Sequence, residues 1–136
     1  MIHWLEKRRL RGFALGSVAA EEAELLTLAV DPTIRRRGVG RWLLSAFETE
    51  AIGRGAHKGF LEVADDNAAA LALYFAAGWE EAGRRPGYYP RPGSNPASAL
   101  ILRKAFKALC APFCYTFVLY LLFLVALAQL HLTPNV

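Results

Sequence analysis

The sequence predicts an α/β protein built on a mixed β-sheet with helices packed on its faces. Short apolar segments typical of strands recur along the chain, and two segments with a helical period separate them. The resulting order is strand, strand, helix, strand, helix, strand, loop, strand, and alternation of this kind is typical of helices covering a sheet. The 136 residues are the size of one domain and exclude a multidomain enzyme.

The first two predicted strands are residues 12–20 and 24–30, both largely apolar. Only a few residues connect them, whereas a parallel crossover needs a dozen or more. We therefore expect an antiparallel pair. Asp31 and Pro32 then end the second strand.

The first predicted helix begins at Gly38 and ends near Gly53 or Gly55. Val39, Leu43 and Phe47 recur at positions i, i+4 and i+8, which is the spacing of one helical face. An amphipathic helix here would bury that face against the sheet.

The second half of the chain predicts a strand at residues 60–64 and a helix from Asn67, a capping residue, through Ala77. Gly78 is expected to end this helix. Residues 79–84 and 97–102 are predicted as two further strands, separated by a segment rich in proline and glycine.

The distribution of charge divides the chain near Lys107. All 16 Lys and Arg residues and all 12 Asp and Glu residues lie at or before that position. We therefore predict a folded domain at residues 1–107 and an apolar tail at residues 108–136. The high apolar content excludes disorder. The only two cysteines, Cys110 and Cys114, lie in the tail, which excludes a disulfide scaffold and favours buried thiols over metal ligands.

Residues 108–130 carry no charge, and at this length a helix could cross about 30 Å of hydrocarbon. Arg103, Lys104 and Lys107 precede the segment and would keep that end in the cytoplasm. The sequence thus predicts a cytoplasmic domain with a candidate transmembrane anchor. Two other interpretations stay open: a helix buried against an apolar sheet face, and a tail that arose from a shifted reading frame.

A cluster of arginines surrounds Gly38 and Gly40, directly after a predicted strand and at the start of a helix. Glycines let the backbone approach a ligand, and the free N–H groups of a first helical turn attract anions. This arrangement is typical of a pyrophosphate site, and the alternative is a glycine-containing turn with a solvated basic face. The net charge of +4 also raises a nucleic-acid interpretation, but a compact cluster favours a discrete phosphate over a polymer.

Four segments in order resemble the GNAT acetyltransferases, and within them the RimI type, which acetylates the N-terminal alanine of a ribosomal protein. The segments are residues 24–32, the Arg-x-x-Gly-x-Gly run that follows, residues 61–67 and residues 70–79. The resemblance covers residues 12–104. It implies an acetyl-CoA-dependent N-acetyltransferase that needs no metal, with the N-terminal α-amine of a protein as acceptor and no direct contact to nucleic acid.

The resemblance also implies a role for individual residues. Glu62 matches the general base and Tyr74 the general acid, while Tyr88 and Tyr89 suit recognition of an acceptor peptide. The residues expected at acetyl-CoA are Leu28, Ala29, Val30, Arg36, Arg37, Gly38, Val39, Gly40, Arg41 and Asn67.

Each of these roles has a structural alternative. Tyr74 lies among apolar residues and could be plain core, and Asn67 could serve only as a helix cap. Tyr88 and Tyr89 could instead be an aromatic plug of their loop. Glu62 could be a solvent-facing strand residue, but its neighbours on both sides are apolar, so we expect a carboxylate that is costly to bury and therefore functional.

The family usually begins with a strand and two helices before the strand that Gly12 opens, and this sequence has only residues 1–11 in their place. Part of the acceptor-binding half is then expected to be missing. Either the sequence is incomplete at its start, or the protein is naturally short and the tail or a partner subunit covers the exposed sheet. Two alternatives to a protein N-acetyltransferase stay open: a relative that binds CoA with little catalysis, and an acetyltransferase for small amines.

Overall fold

The computed structural model describes residues 1–6, 9–93 and 95–107. Six strands and two α-helices follow one another along this part of the chain. They are β1 (Ile2–Glu6), β2 (Arg9–Ala19), β3 (Glu22–Val30), α1 (Val39–Gly53), β4 (Lys58–Ala64), α2 (Ala68–Ala76), β5 (Glu80–Tyr89) and β6 (Ala97–Ala105).

The strands form one sheet in the order β1-β2-β3-β4-β6-β5. Strands β3 and β4 are parallel, and every other neighbouring pair is antiparallel. Helix α1 makes the crossover between the two parallel strands, as a parallel connection requires. The predicted mixed sheet is confirmed, and so is the antiparallel pairing of the strands now called β2 and β3.

Both helices contribute to one hydrophobic core. Leu43 and Leu44 of α1 are almost fully buried, as are Leu61 of β4 and Trp79 just after α2. Since a single cluster contains residues of both helices, the two helices lie on the same face of the sheet. On the opposite face the side chain of Leu15 is 40% exposed, because no described residue covers it.

The ends of the helices follow local rules that the sequence predicted. Gly38 caps α1 with a φ of 81°, a left-handed conformation that glycine adopts without steric cost. The Asn67 side chain caps α2 by accepting a hydrogen bond from the backbone N–H of Ala70 at 3.2 Å. Gly78 follows α2 with a φ of 83°. Both predicted helices are confirmed.

Two strand predictions need correction. The segment before Gly12 contains strand β1 and the start of β2, where the sequence predicted no element. Strand β5 continues to Tyr89 through Pro86, although residues 86–96 were predicted as a loop. Proline is tolerated there because β5 is an edge strand, and the register with β6 is irregular between Arg85 and Tyr89.

The apolar tail at residues 108–136, predicted as a candidate transmembrane helix, lies outside the described residues. Within residues 1–6, 9–93 and 95–107 no helix has the length and hydropathy needed to span a membrane. Lys104, expected to flank such a span, forms an ion pair with Glu48 of α1 at 2.7 Å. Glu48 also accepts a hydrogen bond from the Trp79 indole at 2.9 Å, so Lys104 belongs to the domain's internal contacts.

Gly59 is one of two glycines, with Gly16, at which the sheet packs too closely against the core for a side chain. A β-carbon there would lie 2.5 Å from Cζ of Phe106 and 2.8 Å from Cη2 of Trp79. We expect Gly59→Ala to lower the free energy of unfolding by about 1–3 kcal/mol, because overpacking forces both rings to move. Urea unfolding measures this, with Gly53→Ala as control because nothing lies within 4 Å of a β-carbon at that position. Equal stability of the two variants would contradict the packing argument.

Candidate active site

The two parallel strands separate part-way along their length. They pair from Glu22 with Lys58 to Leu25 with Leu61, but β3 continues to Val30 and β4 to Ala64. Beyond Leu25 the edge of β3 that faces β4 therefore has no strand partner among the described residues. This divergence opens a gap in the sheet beside the start of α1.

A cleft of about 340 Å³ occupies this gap. Its walls come from both diverging strands, from α2 and from the segment around the end of β5. The lining residues are 25–28 of β3, 62–64 of β4, Asn67, Ala70, Tyr74, Tyr89 and Arg91.

Backbone groups of β3 face the cleft in a regular pattern. The N–H of Asp31 donates to the C=O of Arg11 at 2.7 Å. This bond identifies which opposed residues of β2 and β3 are hydrogen-bonded to each other and which are not. Hydrogen-bonded and non-hydrogen-bonded residue pairs alternate along two antiparallel strands. The backbone groups of Ala29 therefore face β2, whereas those of Leu28 and Val30 point toward β4. An extended ligand in the cleft could pair with these groups as a strand would.

The arginine-rich turn lies next to this edge of β3. Gly38, with its left-handed φ, has nothing within 4 Å of its β-position, and the first intrahelical bond runs from the Trp42 N–H to the Gly38 C=O at 3.0 Å. The backbone N–H groups that precede Trp42 at the start of α1 thus have no partner within the helix and remain available to an anion. Arg36, Arg37 and Arg41 are exposed around it.

Two of the predicted residues in this turn also have packing roles. Val39 is only 6% exposed, so its side chain is part of the core and only its backbone can reach a ligand. A β-carbon on Gly40 would lie 3.4 Å from Leu73 of α2 and 3.8 Å from Val30 of β3. Gly40 therefore keeps the space between these elements open at the mouth of the cleft.

Glu62 lies on the open face of β4, between the buried residues Leu61 and Val63. Its side chain is 30% exposed and forms an ion pair with Arg85 of β5 at 3.0 Å. The expectation that apolar neighbours on both sides make this carboxylate costly to bury is wrong, because the helices of the described residues cover only one face of the sheet. The position of Glu62 in the cleft is what makes it a candidate for proton transfer.

Tyr74 enters the cleft from α2. Its side chain is only 7% exposed, and its ring lies 6.3 Å from that of Trp79. Burial raises the pKa of the phenol above its ordinary value of 10.0. The hydroxyl therefore stays protonated at neutral pH and can donate a proton.

We expect Tyr74 to be among the last tyrosines of the chain to ionise. The raised pKa means that the phenol remains neutral as the pH rises through 10.0, and it ionises only above that value. Ultraviolet titration of the wild type, with its five tyrosines, against Tyr74→Phe isolates this residue. A difference curve with its midpoint at or below the ordinary value would contradict the burial argument.

The rim of the cleft carries two contacts that the sequence did not reveal. Arg91 donates two hydrogen bonds of 2.9 Å to Asp66, and these bonds hold the pKa of the Asp66 carboxyl below its usual value. Arg91 also lies 5.9 Å from the ring centre of Tyr89. Burial, and then the charge of Glu62, raise the pKa of Tyr89.

Five of the predicted site residues, from separate segments of the chain, line one cleft: Leu28, Glu62, Asn67, Tyr74 and Tyr89. The other predicted residues lie beside it, on the following part of β3, in the arginine-rich turn and at Tyr88, whose ring is 5.0 Å from that of Tyr89. Sequence reasoning missed the ion pairs of Arg85 with Glu62 and of Arg91 with Asp66, since they join distant segments of the chain.

Residues 1–79 match the Acetyltransferase (GNAT) family. The chain belongs to the GNAT acetyltransferase family. This GNAT chain is 46% identical over 82 residues to the ribosomal protein bS18-alanine N-acetyltransferase of Salmonella typhimurium. The aligned residues are 60% of this chain and 55% of that relative. It is also 32% identical over 101 residues to the enzyme of that name from Haemophilus ducreyi, covering 74% of the chain and 70% of the relative.

Solved structures show the same GNAT fold. The ribosomal-protein-S18-alanine N-acetyltransferase from Escherichia coli superposes with a TM-score of 0.71 and 37% identity, over 76% of this chain and 66% of that one. Ard1 from Thermoplasma volcanium superposes with a TM-score of 0.67 and 30% identity, over 74% of this chain and 66% of that one. The chain spans about half the length of the Salmonella typhimurium relative.

Proposed function

We propose that this chain transfers an acetyl group from acetyl-CoA to the N-terminal α-amine of a protein, with the N-terminal alanine of a ribosomal protein as acceptor. The observation that carries the proposal is the single cleft that holds Glu62 and Tyr74 between diverging strands, next to a helix N-terminus. The names of the relatives from Salmonella typhimurium and Haemophilus ducreyi support the choice of acceptor.

The shape and charge of the site fit acetyl-CoA. The arginine-rich turn offers backbone N–H groups and the charges of Arg36, Arg37 and Arg41 to a pyrophosphate. The outward backbone groups of Leu28 and Val30 suit the amide groups of the pantetheine arm. Asn67, whose side-chain oxygen caps α2, keeps its amide nitrogen for a further contact.

Glu62 acts in this proposal as the general base. When bound, acetyl-CoA supplies an acetyl group activated as a thioester, which only a neutral amine attacks. An α-amine with a pKa of about 7.7–8.0 gives up its proton far more readily than a lysine at about 10.4. Glu62 takes that proton directly or through a water molecule, which frees the nitrogen lone pair.

Tyr74 acts as the general acid. As the new carbon–nitrogen bond forms and the carbon–sulfur bond breaks, the phenol donates its proton to the departing sulfur. The nitrogen loses its second proton, which restores the phenol through solvent, and Glu62 releases the first proton to water. The products are an N-acetylated protein, free CoA and one proton.

The direct test uses the full chain with acetyl-CoA and a peptide that has a free N-terminal alanine. Mass spectrometry then locates the acetyl group. A matched peptide with a blocked α-amine and a free lysine tests whether the α-amine is the acceptor. Acetylation of the first peptide alone supports the proposal, and acetylation of lysine alone would overturn it.

The chief alternative is a CoA-binding relative with little catalysis. It is favoured by the sheet face that no described residue covers. Binding of acetyl-CoA without transfer to any amine would identify it. Transfer to small amines but not to peptides would instead identify the small-molecule enzyme, and rescue of transfer by a second protein would support a covering partner subunit.

We further propose that the tail anchors the cytoplasmic domain to a membrane. The support is the uncharged length of residues 108–130. We expect a soluble reporter fused to residues 108–136 to fractionate with membranes and to resist alkaline carbonate extraction. The same reporter fused to a version with two central leucines changed to lysine is the control. Recovery of the unaltered fusion in the soluble fraction would overturn the anchor.

A further inference from the structure

Glu62 and Arg85 form an ion pair that joins two non-neighbouring strands at the rim of the cleft. The guanidinium nitrogen lies 3.0 Å from Oε1 of Glu62, and the two side chains are 30% and 54% exposed, Glu62 being the less exposed. We propose that Arg85 is a positioning residue that holds the Glu62 carboxylate toward the acceptor. This inference rests on the proposed function, in which Glu62 is the general base.

The register of the sheet makes this contact possible. Strand β6 lies between β4 and β5, with Glu62 opposite Ile101 and Arg85 opposite Ala99. Ala99 is in turn opposite Ala64 of β4. The two residues level with Arg85 on the neighbouring strands therefore have only methyl side chains, which leave room above them. The long arginine side chain can therefore cross β6 diagonally to reach Glu62.

Arg85 leaves half of the carboxylate available. Among the described residues it is the only ion-pair or hydrogen-bond partner of Glu62, and the contact involves Oε1. The other oxygen, Oε2, remains for the acceptor amine or for a bridging water. One fixed oxygen and one available oxygen are the arrangement that an oriented base requires.

Arg85 also contacts the segment predicted to bind the acceptor. Its guanidinium carbon lies 5.7 Å from the ring centre of Tyr88, and the Tyr88 ring packs edge-on against Tyr89 at 5.0 Å. A guanidinium held both by a carboxylate and by an aromatic ring is fixed in position better than by either alone. Arg85 thus sets the spacing between the base and the acceptor-binding tyrosines.

The neighbouring Arg84 provides a matched comparison. It lies 3.3 Å from Asp65 and 3.7 Å from Glu81, with a similar exposure of 49%. Neither of these carboxylates belongs to the predicted catalytic pair. Since partly exposed ion pairs add little to stability, neither Arg85→Gln nor Arg84→Gln is expected to unfold the domain.

The kinetic test compares Arg85→Gln, Arg85→Lys and Arg84→Gln in the full chain. We expect Arg85→Gln to lower kcat about tenfold with an unchanged KM for acetyl-CoA, since a misplaced base slows proton removal without affecting cofactor binding. Arg85→Lys should recover most of this loss, and Arg84→Gln should match the wild type. In a Glu62→Gln background, Arg85→Gln should cause no further loss. Additive losses, or equal losses in the two glutamine variants, would overturn the proposal.

A second readout does not depend on acetyl transfer. In protein labelled with ¹³C at glutamate carboxyl groups, the Glu62 signal is assigned by its absence in Glu62→Gln. We expect this signal to move in Arg85→Gln and to stay in place in Arg84→Gln. An unmoved signal in Arg85→Gln would overturn the positioning role. If the wild type transfers no acetyl group to any amine, the proposed function fails, and this spectrum still decides the role of Arg85.

Discussion

Replacement of Glu62 by glutamine is expected to lower kcat for acetylation of an N-terminal alanine peptide by about 100-fold or more, because general-base catalysis is lost. The affinity for acetyl-CoA should not change, since the predicted pyrophosphate contacts come from α1 and the turn before it. Stopped-flow or discontinuous assays give kcat, and calorimetry gives the acetyl-CoA Kd.

The size of this effect follows from the place of Glu62 in the cleft. The other ionisable groups that line the cleft are Tyr74, Tyr89 and Arg91. Burial raises the pKa of both phenols, so they stay protonated at neutral pH, and the guanidinium of Arg91 is a donor only, so none of the three can accept the proton. Glutamine keeps the shape of the side chain and removes only its ability to take a proton. The loss should therefore appear in kcat and shrink at higher pH, where more of the acceptor amine is already neutral.

Glu80→Gln is the matched control for this prediction. Glu80 is exposed at the start of β5 and does not line the cleft, so the same chemical change should leave kcat at the wild-type value. Full activity of Glu62→Gln would contradict the assignment of the base. A weaker acetyl-CoA affinity in that variant would instead indicate that Glu62 contacts the cofactor.

The parts of the fold that local chemistry determines could be predicted from the sequence. The helix bounds followed from the spacing of Val39, Leu43 and Phe47 and from the capping residues Gly38 and Asn67. Strand β1 was missed because its five residues carry no clear alternation and become a strand only by pairing with β2. Pro86 was taken for a loop residue because its tolerance depends on β5 lying at the sheet edge, which is a tertiary property.

The candidate site likewise has members that could be predicted from the sequence and contacts that could not. Its members Leu28, Glu62 and Tyr74 could be named in advance because they lie in segments that resemble the family. The reason offered for Glu62 was wrong, since neighbouring residues along a strand do not reveal which face the helices cover. The ion pairs made by Arg85 and Arg91 could not be predicted, because their partners Glu62 and Asp66 lie 23 and 25 residues earlier in the sequence and only the folded chain brings them together.

Gly40→Asp is expected to weaken acetyl-CoA binding by about tenfold or more, which corresponds to about 1.4 kcal/mol. A β-carbon at this position makes only ordinary contacts, 3.4 Å from Leu73 and 3.8 Å from Val30, so the domain should still fold. The carboxylate would, however, add a negative charge at the helix N-terminus where the pyrophosphate is proposed to bind. Gly38 is a less clear probe, because its φ of 81° would strain any other residue.

Three comparisons separate the possible causes of the loss. Gly40→Asn has nearly the same size without the charge, so the difference between the two variants measures the electrostatic part. Gly53→Asp adds the same charge at the far end of α1, where nothing lies within 4 Å of the β-position, and should leave the Kd unchanged. Urea unfolding verifies that each variant is folded. A new negative charge weakens the binding of an anion most where the two are nearest. Wild-type affinity of Gly40→Asp for acetyl-CoA would therefore mean that the pyrophosphate does not bind at the start of α1. That conclusion would hold even if the chain proves to be an acetyltransferase.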